Sequence, residues 1–310
     1  MKKVLITGGS GLVGSHLRIH EKARAFDIIC PSRDELNLSD AVAVQNFMSL
    51  HGPDCVIHSA GLVGGIQANI HAPSDFIIEN ATIGINVLRA CAGASVPNVI
   101  NLGSSCMYPR DAPNPLVETS LYSGELEPTN EGYALGKLLV SKLGQSFRRC
   151  SEKCDFVTVI PCNLYGPYDH FEPERSHLLA ATIDKIHKAK CSGDSFVEIW
   201  GSGSSRREFM YAEDLADCLW MMVQTGVAKF PDFINVGVGV DHSILDYYRI
   251  VAKALEYGGD FVFDRSRPEG MKQKLMDSSW INNWGWSPET ELEDGILKTY
   301  EYYLRLDLHA

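Results

Sequence analysis

The 310 residues, 45% hydrophobic and 22% charged, suffice for one large or two closely joined domains around a sizeable core. A formal net charge of -11, from 39 acidic against 28 basic side chains, repels polyphosphate, which excludes nucleic acid as a first guess unless positive charge is concentrated locally. No apolar run approaches the roughly 20 residues that span a bilayer, and the first, Val4-Leu5-Ile6-Thr7, ends in glycines rather than a signal-peptide cleavage site, so a cytoplasmic protein with no membrane partner is predicted.

In chain order, Lys3 to Thr7 reads as a strand, Leu12 to Ala25 as a helix, Asp27 to Cys30 as a strand and Ala41 to Leu50 as a helix. Cys55 to Ser59, Val99 to Leu102 and Phe156 to Ile160 continue the strands, and Ser74 to Ala92 and Gly132 to Arg149 the helices. Short β-branched runs alternating with amphipathic stretches are the pattern of βαβ units. Because the strand runs are apolar on both faces, they belong in the middle of three layers, and an α/β fold with a doubly wound parallel sheet of Rossmann type follows. After about Tyr165 the alternation loosens at Pro167, Pro173 and Gly201-Ser202-Gly203-Ser204-Ser205, which predicts a smaller C-terminal lobe. Phe233 to Val236 reads as a further strand of the first sheet, and helices with Phe261 to Phe263 complete the chain. The expected division is 1–165 with 208–240 for the first domain and 166–207 with 241–310 for the lobe.

The first strand is followed at once by Gly8-Gly9-Ser10-Gly11-Leu12-Val13-Gly14, a GxxGxxG spacing that opens into a helix. Gly8, Gly11 and Gly14, with Leu12 and Val13 at the helix start, let backbone N–H groups approach a pyrophosphate, so a dinucleotide site is predicted. The second strand exits through Pro31-Ser32-Arg33 rather than an acidic residue. Arg33 is thus placed to neutralise a ribose 2′-phosphate, and although Asp34 follows it, NADP(H) is the expected cofactor.

The nine cysteines form no CxxC pair, so neither a disulfide framework nor a zinc ribbon is suggested; Cys150 and Cys154, one helical turn apart, lack further ligands, and no metal site is predicted. Tyr133 and Lys137 lie four residues apart on a helix and share a face. An ammonium beside a phenol is expected to lower the phenol's pKa toward the range useful for proton transfer. Ser104 ends the fourth strand, where parallel sheets present ligands, and can hydrogen-bond a substrate carbonyl. Cys106, two positions on, points to the same side if the chain stays extended, and a thiol there can serve as acid or base. His177 begins the amphipathic stretch Leu178 to Lys188, a position suited to a proton donor at a cleft. On pattern alone, both residues also read as structural.

Gly103-Ser104-Ser105-Cys106-Met107-Tyr108-Pro109, Leu126-Glu127-Pro128-Thr129-Asn130-Glu131-Gly132-Tyr133-Ala134 and Asn163-Leu164-Tyr165-Gly166-Pro167 resemble the GDP-L-fucose synthase family of extended short-chain dehydrogenases, also called GDP-4-keto-6-deoxy-D-mannose 3,5-epimerase/4-reductases. Val63-Gly64-Gly65-Ile66, Trp200-Gly201-Ser202-Gly203 with Arg206-Arg207-Glu208-Phe209, and Lys274-Leu275 with Asp277 extend the likeness over nearly the whole chain. The resemblance implies an NADPH-dependent enzyme acting on a GDP-4-keto-6-deoxy sugar. It makes Ser104, Tyr133 and Lys137 the reductase triad and Cys106 and His177 the acid/base pair of epimerisation. Asn163, Lys185, Trp200, Arg207 and Lys274 become substrate contacts, with Asn163 and Lys137 also near the cofactor, and a homodimer is implied. Lys185 stands where the family usually carries arginine, and Ser10 where some members do. Related 4-keto sugars of the GDP-colitose or GDP-heptose type, or a cofactor-retaining 4-epimerase or dehydratase, are the alternatives. Dehydratases of this fold generally place Asp-Glu where this chain has Ser105 and Cys106.

Overall fold

The computed structural model describes residues 1–151, 153–172 and 176–307, with residue 307 described by its backbone only; Pro173 and residues 308–310 of the predicted lobe lie outside the described residues. The first half runs β1 (Lys3–Thr7), α1 (Leu12–Ile19), β2 (Asp27–Ile29), α2 (Ala41–His51), β3 (Cys55–His58), α3 (Ile66–His71), α4 (Pro73–Gly93), β4 (Asn98–Leu102), α5 (Glu131–Cys150) and β5 (Asp155–Pro161). The second half adds β6 (Asn163–Tyr165), α6 (Leu178–Ser192), β7 (Phe196–Trp200), β8 (Arg206–Arg207), β9 (Phe209–Tyr211), α7 (Ala212–Thr225) and β10 (Phe233–Val236). It closes with β11 (His242–Ser243), α8 (Ile244–Ala254), β12 (Asp260–Asp264), β13 (Gln273–Lys274), α9 (Ser279–Trp284) and α10 (Leu292–Asp307).

Six strands form a fully parallel sheet in the order β10-β5-β4-β3-β1-β2. Alternate residues of β1 go to opposite faces: Val4 and Ile6 join a cluster with Leu219 and Trp220 of α7, while Leu5 joins Val44 of α2 and Val87 and Leu88 of α4. Both faces are therefore dry, and each buried aliphatic side chain contributes about 1.5–3 kcal/mol. The chain leaves β1 to one side for β2 and returns on the other for β3, with Thr7 level with His58. That reversal opens a crevice beyond the carboxyl ends of β1 and β3, the place where such sheets take ligands.

The predicted helix from Leu12 to Ala25 is two pieces, because α1 stops at Ile19 and a 3-10 turn covers Glu21–Ala25. His20 Nδ1 accepts the Lys22 N–H at 3.2 Å, and this local bond competes with the helical one. Past Tyr165 the chain is more regular than its prolines and glycines suggest. β6 pairs with β9, β7 with β12, and β8 lies between β11 and β13. A second hydrophobic cluster, with Leu179, Ile183, Tyr247, Val251 and Tyr303, fills this part of the molecule.

Candidate active site

The glycine loop shows why side chains are absent there. Gly8 takes φ +73°, and a methyl on Gly14 would lie 2.2 Å from the Gly8 carbonyl oxygen, so α1 seats on the loop only without one. At Gly11, the N-cap of α1, a methyl would meet nothing nearer than 3.5 Å, which leaves the approach to the helix N-terminus open. Gly11 offers no side-chain cap, so the first-turn N–H groups, which have no intrahelical partner, face this space and fit a pyrophosphate.

A cavity of about 840 Å³ opens from that loop and is lined by Gly8, Gly11, Leu12, Val13, Gly14, Arg33, Ser104, Cys106, Tyr133, Lys137, Asn163, His177, Arg207 and Lys274. Its lining cations are Arg18, Arg33, Lys137, Arg207 and Lys274 against the carboxylates Glu35, Glu79, Glu127 and Asp169. Positive charge is thus concentrated here in an otherwise acidic chain. The Arg33 side chain is 85% exposed and among the described residues holds only Glu79, at 3.8 Å, so its guanidinium is available to a 2′-phosphate; Asp34 does not line the cavity. Arg33→Ala is expected to weaken NADPH binding about tenfold, the worth of a charge-assisted hydrogen bond at an exposed position, and to leave NADH binding unchanged in fluorescence titrations.

Helix α5 brings Tyr133 and Lys137 to the cavity by riding close on α4, where a methyl at Gly136 would lie 2.9 Å from Asn80 Cβ. Lys137 Nζ donates to the Leu102 carbonyl at 3.0 Å, tying the helix to the end of β4, and burial lowers its pKa to about 8. The expected acidification of the phenol is not what this arrangement produces. Lys137 Nζ stands 5.9 Å from the ring centre with its charge directed at the strand, and burial pushes Tyr133 up, with the Cys106 sulfur adding to the rise and the Ser104 hydroxyl opposing it. The phenol therefore keeps its proton, the state needed in a donor.

The chain does not stay extended after Ser104. Its hydroxyl accepts the Cys106 N–H at 3.2 Å and caps a 3-10 turn over Ser105–Met107, because a serine oxygen competes well for a free backbone donor. Cys106 still lines the cavity, turned in by that bend, and its Sγ receives Asn130 Nδ2 at 3.2 Å and Lys274 Nζ at 3.3 Å. His177 is the N-cap residue of α6 and makes no capping bond with its side chain. Near it, Asp169 Oδ1 accepts the His170 N–H at 2.8 Å, whereas Oδ2 is shielded from solvent without a hydrogen-bond partner among the described residues. Burial raises the Asp169 pKa and the neighbouring His177 opposes the rise.

Asn163 Nδ2 donates to the Glu208 carbonyl at 2.8 Å, and Arg207 spends two of its N–H groups on the Arg206 and Glu269 carbonyls, at 2.7 and 3.1 Å. Lys185 and Trp200 are not in the cavity wall. Trp200 packs with two cations instead, Lys185 Nζ 5.1 Å and the Arg267 guanidinium 4.8 Å from its ring centre. Three contributors escaped the sequence reading. Arg18 lines the phosphate end, Asp169 lines the other, and Asn80 clamps the loop after β3 through bonds to Leu62 N and O at 3.0 and 3.1 Å. Only Asn80, a buried amide in the middle of a helix, carried a signal that could have been noticed.

Residues 4–237 match the model of the NAD dependent epimerase/dehydratase family. The chain is 46% identical to the GDP-L-colitose synthase of Yersinia pseudotuberculosis, covering 97% of this chain and 98% of that protein. It is 45% identical to the GDP-L-fucose synthase of Azorhizobium caulinodans, over 98% and 96% of the two chains. Among solved structures, the GDP-mannoheptose C4 reductase of Campylobacter jejuni, with NADP bound, superposes with a TM-score of 0.88 at 32% identity over 98% of each chain.

Proposed function

The chain belongs to the NAD dependent epimerase/dehydratase family, and from that premise we propose that it is an NADPH-dependent epimerase/reductase that converts GDP-4-keto-6-deoxy-D-mannose to GDP-L-fucose. What carries the reading is the convergence of Ser104, Cys106, Tyr133, Lys137 and His177 on the one cavity that opens from the glycine loop. Gly8, Gly11, Leu12, Val13, Gly14 and Arg33 would hold NADPH, with Lys137 and Asn163 at its reactive end, and the bound cofactor supplies the hydride for C4. Ser104 hydrogen-bonds the C4 carbonyl, and Tyr133, protonated because it is buried, gives its proton to that oxygen. Lys137 keeps positive potential beneath them. The same ketone acidifies the C–H bonds at C3 and C5, so Cys106 and His177 can remove and return those protons through enolates. Arg207 and Lys274 offer charge to the diphosphate, and Lys185 with Trp200, which face each other outside the cavity wall, would take the rest of the nucleotide.

On this reading residues 1–165 with 208–240 hold the cofactor and 166–207 with 241–310 the sugar nucleotide; most buried side chains cluster by that division, while Met276, Ile281 and Trp286 pack with the first domain and Phe209 and Tyr211 with the lobe. A second reading, a GDP-colitose-type or GDP-heptose-type 4-keto sugar as the preferred substrate, is favoured by the 46% identity to the Yersinia protein. The purified chain is expected to consume NADPH with GDP-4-keto-6-deoxy-D-mannose and to release GDP-L-fucose, identified by NMR. Turnover without loss of NADPH absorbance would mean a cofactor-retaining epimerase or dehydratase, and higher kcat/KM on a colitose-type or heptose-type ketone would favour the second reading.

No helix among the described residues is long and apolar enough to cross a membrane. All nine cysteines are free thiols, which supports a reducing, cytoplasmic setting. Ile78 of α4 and Leu135 and Leu139 of α5 are exposed, at 62%, 40% and 50%, and suit pairing of these helices across a two-fold axis. Light scattering is expected to return the mass of two chains; the mass of one would overturn the dimer.

A further inference from the structure

Asn130 is the N-cap residue of α5, a position where asparagine ordinarily turns its side-chain oxygen back onto the helix. Here it makes no such bond. Its Nδ2 donates to Cys106 Sγ at 3.2 Å, and its Oδ1 is shielded from solvent with no hydrogen-bond partner among the described residues. A capping bond and a satisfied amide oxygen are both forgone, each a loss of about 1 kcal/mol or more by itself, so the orientation toward sulfur needs a reason.

The chemistry of the sulfur supplies one. Lys274 Nζ donates to the same Sγ at 3.3 Å, so as drawn the sulfur accepts two N–H bonds, which suits its deprotonated form. Arg207 from β8 and Tyr133 from α5 line the same cavity as this thiol. When Cys106 removes a proton from substrate carbon, the C–H bond breaks, its electron pair passes into the enolate of the C4 ketone, and an S–H bond forms. The sulfur has then become a donor, and among the described residues Lys274 has no acceptor to offer it. Rotating the Asn130 amide by half a turn presents the idle Oδ1 instead.

We propose that Asn130 holds Cys106 in both protonation states, donating to the sulfur before proton abstraction and accepting from S–H after it. This makes Asn130 a positioning residue that acts through Cys106, and it rests on the acid/base role proposed above for that cysteine.

The test follows incorporation of solvent deuterium at C3 and C5 of GDP-4-keto-6-deoxy-D-mannose, with NADP+ in place of NADPH so that reduction cannot follow. It also follows the rate at which iodoacetamide labels Cys106, read by mass spectrometry. Asn130→Ala is expected to lower both rates about ten- to a hundredfold, the loss of one hydrogen bond to a charged group, while NADPH affinity stays within about twofold. Asn130→Asp is nearly isosteric but cannot donate to sulfur, and its carboxylate repels a thiolate, so it should show losses at least as large; it decides the matter if the alanine variant fails to bind NADPH. Wild-type rates of both exchange and labelling in either folded variant would overturn the role of Asn130. Wild-type exchange in Cys106→Ser would instead overturn the role of Cys106, so the two failures are distinguishable.

Discussion

Tyr133→Phe is expected to slow reduction of the C4 ketone about a hundred- to ten-thousandfold, the range supplied by a well-placed general acid, with NADPH affinity unchanged. The variant keeps the ring and its edge-on contact with Phe76, at 6.4 Å between centres, so the site loses a proton and little packing. On the proposed mechanism Ser104 remains to hydrogen-bond the carbonyl, which sets a residual rate above that of an empty site. Single-turnover loss of NADPH absorbance measures the effect, and a wild-type rate would move the proton donor away from Tyr133. The pH dependence has a definite sign. Burial holds the phenol protonated as pH rises through neutrality, whereas Lys137, lowered to about 8, loses its charge above that point. Reduction is therefore expected to decline above about pH 8 through Lys137, and not through Tyr133.

The largest expected effect on stability is at Glu208. This side chain is fully buried; Oε1 accepts the Val238 and Gly239 N–H groups at 2.6 Å each, and Oε2 accepts the Met276 N–H at 2.8 Å. One carboxylate thus joins the segment after β10 to the segment after β13, directly beside the cavity residue Arg207. Burial raises its pKa and the three backbone donors oppose the rise. Glu208→Gln keeps the volume but turns one acceptor into a donor facing an N–H group. The expected loss is about 2–4 kcal/mol, from weakened charge-assisted bonds and a backbone donor left unsatisfied, visible as a lower denaturation midpoint. An unchanged midpoint would overturn the role of these three bonds in joining the two segments.

The local order of β1 to β5 and of α1, α2, α4 and α5 was legible in the residues, because each of these announces itself by period and composition within its own few positions, whereas the six-residue α3 is too short to show a period and was not foreseen. Lys3–Thr7 and Phe233–Val236 are strands with the predicted bounds, and Glu131–Cys150 differs from its expected range by one residue at each end. The glycine spacing and the Tyr133/Lys137 pair could be read for the same reason, since a loop and one helix turn are local objects. What the sequence could not express was the direction of charge. Whether Lys137 acts on the phenol or on a strand carbonyl depends on β4, 35 positions away, and burial settled the phenol's state. Nor could it say that Asn130, written as a helix cap, would turn to a cysteine 24 positions earlier, or that Lys274 would reach that sulfur across 168. Periodicity is a property of neighbours along the chain, whereas desolvation and side-chain pairing are properties of neighbours in space, and only the folded molecule decides which those are.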